Sequence, residues 1–252
     1  KNESDRSASI FRKYKRRKLA SRAVATTDIT KEQTTNTGPP SQAYAGVFMN
    51  DSLLFEVVFM NDSLLFKIKK KYGQVGSWAL WSDSKTSDTS DLSIFDTDKN
   101  PTVLTKLHTR AVFVALNISG PIDKSRPFGN FHGGKRDFML RDAIKHTSLE
   151  GAYMTDIIKF HPEVRSTEVA RFFKDNPDNL NHHFSYFREE LRDIGSTPDS
   201  YIVALGKLTH ALVRQANLPN PLLKLTHYSS PTLEKARYKL QVQELSVRLG
   251  FD

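Results

Sequence analysis

Four short apolar runs, each ending in polar residues, constrain the fold of this chain more than any other feature. The first reads VFVALNIS (112–119), and the last reads LLKLTHYSSP (222–231). An apolar run that stops at polar residues is typical of a strand buried on both faces. Because open α/β sheets bind ligands at the carboxyl ends of their strands, Asn117 and His227 are the first candidates for chemistry.

Helical patterns separate the four predicted strands, and this alternation predicts a parallel sheet covered by helices on both faces. The expected fold class is a three-layer α/β/α domain with a central, mostly parallel four-stranded sheet. Ser230 as N-cap and Pro231 at the first helical position predict a last helix that runs toward Gly250. The predicted strands are 111–117, 151–160, 201–205 and 222–226, and the predicted helices between them include 138–146, 166–175 and 179–194.

The positive charge of the chain is concentrated at its N-terminal end. The net charge is +9, and residues 1–22 hold nine Lys/Arg against two Asp/Glu, which leaves the other 230 residues nearly neutral. Such an arm is typical of nucleic-acid binding, with Arg16 and Arg17 as candidate DNA contacts. Nuclear targeting, an anionic membrane or solubility would explain the arm equally well.

Composition divides the chain into three segments. Residues 1–43 are predicted to be a disordered basic arm and linker, and residues 71–252 have the composition of a folded domain. Between them, in residues 44–70, the nonapeptide VFMNDSLLF occurs twice, at 47–55 and 58–66. One interpretation is a β-meander with Asn-Asp-Ser turns. The other is a local duplication without function, in which one copy packs and the other bulges out.

Several classes of protein are excluded by what the sequence lacks. With no Cys there is no disulfide framework, thiolate zinc site or iron–sulfur cluster. No Walker motif, G-x-S-x-G elbow or H-E-x-x-H motif is present, and no apolar run approaches the roughly 20 residues of a membrane span. We therefore expect an intracellular monomer, cytoplasmic or nuclear, without cofactor, metal or membrane contact.

The polar residues at the strand ends resemble the motifs of the uracil-DNA glycosylase superfamily. ALNIS (115–119) resembles the first motif, closest to its mismatch-specific branch, and YMTDIIKFHPE (153–163) is similar to the second strand. YIVALGK (201–207) resembles the third strand, and THYSSP (226–231) resembles the His-Pro-Ser-Pro motif of the fourth. All four motifs occur in family order within 71–252, so the resemblance implies a DNA glycosylase that flips a modified or mismatched base and hydrolyses its N-glycosidic bond.

The resemblance also implies roles for individual residues. Asn117 would position the attacking water, and His227 would donate a hydrogen bond to the leaving base. Phe131, or else Phe128, would stack on the flipped base, and Leu233 would wedge into the duplex. Ser119, Lys207, Ser229 and Ser230 would contact the DNA backbone, and Asp156 occupies the place of the base-reading Asn.

The sequence departs from the family pattern at Ile118, Ser119, Tyr228 and Asp156. An ionised carboxylate only accepts hydrogen bonds, so Asp156 would repel uracil O4 unless burial keeps it protonated or the target base offers donors there. Structural roles stay open, since Asn117 could cap a turn, His227 could cap the sheet and Asp156 could pair with a Lys or Arg. The alternatives to the enzyme are an inactive glycosylase-fold module that binds DNA or a protein, and a small nucleotide-binding enzyme.

Overall fold

A five-stranded, mostly parallel sheet forms the centre of the part of the chain that the structure describes. The computed structural model describes residues 60–250. The spatial strand order is β1-β3-β2-β4-β5, in which β1 alone pairs antiparallel, with β3. The strands are β1 (Gly76–Trp78), β2 (His108–Asn117), β3 (Ala152–Ile158), β4 (Tyr201–Leu205) and β5 (Leu222–Leu225).

The sheet has five strands and not the predicted four, because the additional edge strand β1 pairs with β3. All seven residues of β3 are buried, and without β1 the outer row of its backbone groups would have no partner. Antiparallel pairing with Gly76–Trp78 satisfies that row and closes the edge. The sequence SWALW (77–81) suggests a strand or the lead-in to one and overlaps β1, but a strand of three residues is too short to show the periodicity of the other four.

Seven α-helices and one short 3₁₀ turn, Ser93–Phe95, accompany the sheet within the described residues. Two of the helices begin after the carboxyl ends of β3 and β4, at Ser166 and Lys207. The helices are α1 (Asp62–Tyr72), α2 (Val103–Lys106), α3 (Asp137–Ile144), α4 (Ser166–Asp175), α5 (Pro177–Asp193), α6 (Lys207–Gln215) and α7 (Lys235–Leu249).

The second copy of the duplicated nonapeptide begins helix α1, so the β-meander interpretation is wrong for this copy. The Asn61 side chain accepts a hydrogen bond from the Leu64 backbone N–H at 2.9 Å and thereby caps the helix. An Asn side chain can satisfy the free N–H groups of a helix as well as those of a turn, so the Asn-Asp-Ser sequence is compatible with both. The first copy, the arm 1–43 and its Arg16 and Arg17 lie outside the described residues.

The side chains of β2 alternate between two hydrophobic clusters. Val112 and Val114 belong to one cluster, and Ala111, Phe113 and Ala115 belong to the other. This follows from the two-residue period of a strand, in which successive side chains point to opposite faces. Both faces of the central strand are therefore buried, as its continuous apolar run predicts.

The last helix begins at Lys235, four residues after the predicted start at Pro231. Ser230 lies in a turn, in which its backbone N–H donates to the His227 carbonyl at 3.0 Å and its own carbonyl accepts from Leu233 N–H at 3.1 Å. Leu233 is buried in the second cluster. Burial of this side chain holds the segment as a turn, so Ser230 is not an N-cap.

The chain order across the sheet reverses at β2. From β2 the chain passes to β3 on one side, and β4 and β5 then follow on the other side. Such a switch point leaves a crevice outside the carboxyl ends of the neighbouring strands, where open α/β sheets bind ligands. Separately, no helix among residues 60–250 is both long and apolar enough to cross a bilayer.

Candidate active site

A cavity of about 1050 Å³ opens at the carboxyl ends of the parallel strands. Its walls come from the segments that follow β2, β3, β4 and β5, from Asp156 of β3 and from the loop before α3. The cavity therefore occupies the crevice that the switch point creates. Eight residues predicted from the sequence line it: Asn117, Ser119, Phe131, Asp156, Lys207, His227, Ser229 and Ser230.

The Asn117 side chain is fixed by three backbone carbonyls. Its amide nitrogen donates to the carbonyls of Ile118, His161 and Glu163 at 2.9, 3.0 and 2.8 Å. These bonds fix the orientation of the amide and leave its oxygen as the atom that can accept from a water or a ligand. Asn117 thus anchors the loop that follows β3, and it also lines the cavity.

His227 is held as a neutral imidazole whose proton is on Nε2. Its Nδ1 accepts from the Ser229 backbone N–H at 3.2 Å and lies 2.8 Å from Ser229 Oγ. Because Nδ1 is an acceptor, the ring N–H of the neutral form belongs to Nε2. Burial lowers the His227 pKa to about 4. The ring stacks on Tyr228 with a centroid distance of 4.7 Å, so its plane is also fixed.

Asp156 is a buried carboxyl group in the cavity wall. Its exposed fraction is 2%, and its Oδ2 accepts from the Asn130 amide nitrogen at 2.8 Å. Burial raises the Asp156 pKa to about 7, although the Asn130 hydrogen bond and the charge of Lys159 act in the opposite direction. Near neutral pH this carboxyl group therefore exists in both forms and can donate as well as accept a hydrogen bond.

Asn130 connects the loop before α3 to the end of β3. Its amide nitrogen donates to Asp156 and, at 2.9 Å, to the Val75 carbonyl. The flanking residues Phe128 and Phe131 both have φ of 68°, a left-handed conformation that is uncommon outside glycine. Backbone strain of this kind tends to occur at functional sites, and here it accompanies the turn that brings Asn130 to Asp156.

Phe131, and not Phe128, is among the residues that line the cavity. Phe131 is only 9% exposed and packs in the second hydrophobic cluster, and its carbonyl accepts a hydrogen bond from Trp81 Nε1 at 3.4 Å. Phe128 is buried in the first hydrophobic cluster, where its ring packs edge-on against Phe95 at 5.4 Å. The prediction of Phe128 as a second stacking residue is therefore wrong, because its side chain is part of the core.

A second acidic group, Asp137, lies at the start of α3 and also lines the cavity. Its Oδ2 accepts from the Gly134 backbone N–H at 2.7 Å, and it hydrogen-bonds the Tyr228 hydroxyl. Burial raises the pKa of Asp137, and burial with the neighbouring carboxyl group raises the pKa of Tyr228 well above its ordinary value. The hydrogen bond with Asp137 fixes the Tyr228 side chain, on which the His227 ring stacks.

Leu233 does not reach the surface, so its predicted role as a wedge is wrong. Its side chain is buried in the second hydrophobic cluster, and its carbonyl accepts from Arg136 at 2.9 Å. The predicted helix N-terminus beside Ser229 and Ser230 is also absent, since α7 begins later. These two serines instead lie in a turn beside the cavity.

Charged groups of both signs surround the cavity. Its lining includes the cations Arg126, Lys135, Arg136 and Lys207 and the acids Asp123, Asp137, Asp156 and Glu163. Two of these acids, Asp137 and Asp156, are buried, and burial raises both of their pKa values. Apart from these two buried acids, the lining holds four cations against two acids, Asp123 and Glu163, which favours an anionic ligand.

Sequence reasoning missed Asn130 and Asp137 as parts of the site. Asn130 lies between Phe128 and Phe131, in a loop singled out for its aromatic residues, yet no periodicity shows that it reaches the end of β3. Asp137 belongs to a helix start, where an acidic residue is ordinary. Among residues 60–250, no group of three or more His, Cys, Asp or Glu could hold a metal ion.

No protein-family model matches this chain, and no curated protein matches it in sequence. The residues that follow the strands lie together at one cavity, and the chemistry of the side chains that line it is the basis for inferring a function.

Proposed function

We propose that this protein is a DNA glycosylase, which flips a modified or mismatched base into the cavity and hydrolyses its N-glycosidic bond. The observation that carries the proposal is the presence of Asn117, Phe131, Asp156 and His227 in one cavity at the switch point. These four residues come from four separate segments of the chain, each of which resembles the family at the sequence level or follows such a segment.

The polar groups suit a heterocyclic base. A neutral His227 presents an N–H donor, and a protonated Asp156 presents a donor and an acceptor. Phe131 offers a ring for stacking, which is worth about 1–3 kcal/mol per base in nucleic-acid complexes. A flipped base thus finds stacking and edge contacts that offset the few kcal/mol that extrusion costs.

The reaction needs stabilisation of charge on the leaving base. When the bond between the sugar C1′ and the base nitrogen breaks, its electron pair goes to the base. A water oxygen bonds to C1′, and the proton that this water loses neutralises the departed base anion. A fixed donor beside the base stabilises the developing anion, and loss of one such donor typically costs on the order of 3 kcal/mol in the activation barrier. His227 Nε2 supplies this donor, while the fixed Asn117 amide oxygen orients the water.

The proposal extends to the architecture and the partner. The domain would consist of three layers, with helices on both faces of the sheet, and it would act as a monomer on duplex or single-stranded DNA. The alternation of the β2 side chains between two hydrophobic clusters supports the layers. Lys135 and Lys207, both exposed at the cavity, support the contact with phosphates.

A second candidate function, a glycosylase-fold module that binds DNA or a protein without catalysis, is favoured by one observation. The amide nitrogen of Asn117 is fully used by the loop carbonyls, so this residue has a structural role whether or not catalysis occurs. Release of free base separates the two functions, because only the enzyme produces it.

The test is a panel of oligonucleotides that each carry one modified or mismatched base, assayed for free base with the wild-type protein and His227→Ala. We expect release from at least one member and a loss of about 100-fold or more in His227→Ala, with DNA binding within a few fold, because the donor acts on charge that develops in the transition state. His182→Ala is the matched control, because His182 is exposed and lies outside the cavity lining. Wild-type inactivity on the whole panel would contradict the enzyme and favour the binding module.

A further inference from the structure

We propose that the turn at Val164, in the loop 159–165, enters duplex DNA and fills the space that the flipped base leaves. This inference rests on the proposed glycosylase function and assigns a part of the DNA interface that the sequence motifs placed elsewhere. The occupant of this surface is therefore the base stack of a duplex beside the target nucleotide.

The need for such an element follows from the chemistry of flipping. Removal of a base from the stack leaves an apolar gap, and proteins that unstack bases frequently insert an apolar side chain between base steps. Leu233 cannot do so, because it is buried in the second hydrophobic cluster. Under the proposed function, the wedge is then another apolar side chain at the mouth of the cavity.

Val164 has the position that this role requires. Its side chain lines the cavity, yet 78% of the residue is exposed, so it stands at the rim. It is the apex of a turn in which the Arg165 backbone N–H donates to Glu163 Oε1 at 2.8 Å. Phe160, at the start of the same loop, is 52% exposed but lies outside the cavity lining, and its ring packs edge-on against Tyr186 at 6.0 Å.

Hydrogen bonds to residues at the end of β2 hold the loop that carries Val164 in place. Asn117 donates to the carbonyls of His161 and Glu163, and the Glu163 N–H donates to the Ile118 carbonyl at 3.2 Å. Helix α4 begins immediately after the loop, at Ser166. A wedge that is already ordered loses little conformational entropy on binding, so this anchoring favours insertion. Asn117 then acts partly as a positioning residue for the wedge.

The charges around Val164 suit duplex DNA. Arg165 follows Val164 directly and has 73% of its side chain exposed, and Lys207 and Lys135 are exposed on other sides of the cavity. The acids near them are Glu163, whose carboxylate is engaged with Arg165, and Asp123. An apolar side chain at the rim of a cavity whose lining includes exposed cations suits a duplex, where base edges lie between two rows of phosphates.

The test compares Val164→Ser with the wild-type protein on one target base, placed first in a matched duplex and then in a single strand of the same sequence. A single strand leaves no gap in a base stack, so only the duplex reaction needs the wedge. We expect Val164→Ser to lower base release from the duplex by about tenfold or more and to leave release from the single strand within twofold. Val247→Ser is the matched control, because Val247 is 75% exposed but lies in α7 outside the cavity lining.

The fluorescence of 2-aminopurine beside the target gives a second readout, since it rises when neighbouring bases unstack. We expect the rise with wild-type protein and Val247→Ser and not with Val164→Ser. Equal loss on duplex and single strand, or no loss on either, would overturn the inference while the glycosylase function stands. If wild-type protein releases no base, the proposed function fails, and the fluorescence alone then decides whether Val164 enters the duplex.

Discussion

Two buried carboxyl groups, those of Glu190 in α5 and Asp156 in β3, differ in whether a buried cation forms an ion pair with them. Glu190 of α5 is fully buried, accepts hydrogen bonds from Tyr153 and Thr155 at 2.8 Å each, and forms an ion pair with Lys159. Asp156 is almost as buried but has one neutral donor, Asn130, and faces the cavity. The first carboxyl group is neutralised by a buried cation, and the second is not.

The difference separates a structural acid from a candidate functional one. A buried ion pair with satisfied hydrogen bonds holds its elements together, here β3 and α5, and offers nothing to a ligand. A buried acid with no ion-pair partner destabilises its own ionised form, so its pKa rises toward neutrality. Proteins retain such a group where a ligand will supply the missing interactions, and strongly perturbed acids are accordingly common at functional sites.

The largest expected effect comes from breaking the structural pair. Lys159→Met leaves the Glu190 charge buried without its cation, which typically costs about 3–5 kcal/mol in the free energy of unfolding. The double variant Lys159→Met/Glu190→Gln should recover a large part, because Gln keeps an acceptor for Tyr153 and Thr155 and carries no charge. Urea unfolding of the two variants measures the difference, and equal stability of the two would show that the ion pair contributes little.

The second effect concerns the ionisation of Asp156. Its pKa in the folded protein is about 7, above the ordinary 3.8, so stability is lost as pH rises from about 4 to 7 and stays reduced above that. Asp156→Asn removes this loss and can keep the bond with Asn130 through its amide oxygen. Its unfolding free energy relative to wild type should therefore rise by about 2–3 kcal/mol between pH 5 and pH 8. Urea unfolding at the two pH values tests this, and a pH-independent difference would mean that Asp156 ionises normally.

The third and smallest effect concerns the loop beneath Val164. Asn117→Ala removes three hydrogen bonds to backbone carbonyls and should cost about 1–2 kcal/mol in the free energy of unfolding. Amide exchange at Glu163, whose N–H donates to Ile118, should accelerate more than exchange in β4. Ser119→Ala, two residues away and exposed, is the control that should change neither quantity.

Patterned segments of the fold could be predicted from the sequence, and unpatterned ones could not. The strand 201–205 and the helix 166–175 have the predicted bounds because their apolar residues recur with the period of the element. The edge strand Gly76–Trp78 and the helix at Asp62–Tyr72 depend on tertiary pairing and on a cap that equally suits a turn. Local pattern does not distinguish those outcomes.

In the site, too, the residues that belong to a sequence pattern could be predicted and the others could not. Asn117 and His227 end apolar runs, so their place at the carboxyl ends of strands could be predicted. Leu233 and Phe128 are apolar residues in loops, and whether such a residue faces solvent or the core depends on packing that no local pattern records. The partner of Asp156 could not be predicted either, because Asn130 reaches it through a loop with two left-handed residues.

The most direct test of the account is the pH dependence of uracil release by the wild-type protein and Asp156→Asn. If only protonated Asp156 accepts uracil, wild-type release should fall about tenfold per pH unit above pH 7, since the Asp156 pKa is about 7. Asp156→Asn should release uracil faster at pH 8 and at a constant rate from pH 6 to 9, because His227 stays neutral throughout that range. Efficient wild-type release that is independent of pH and unchanged by Asp156→Asn would contradict the account.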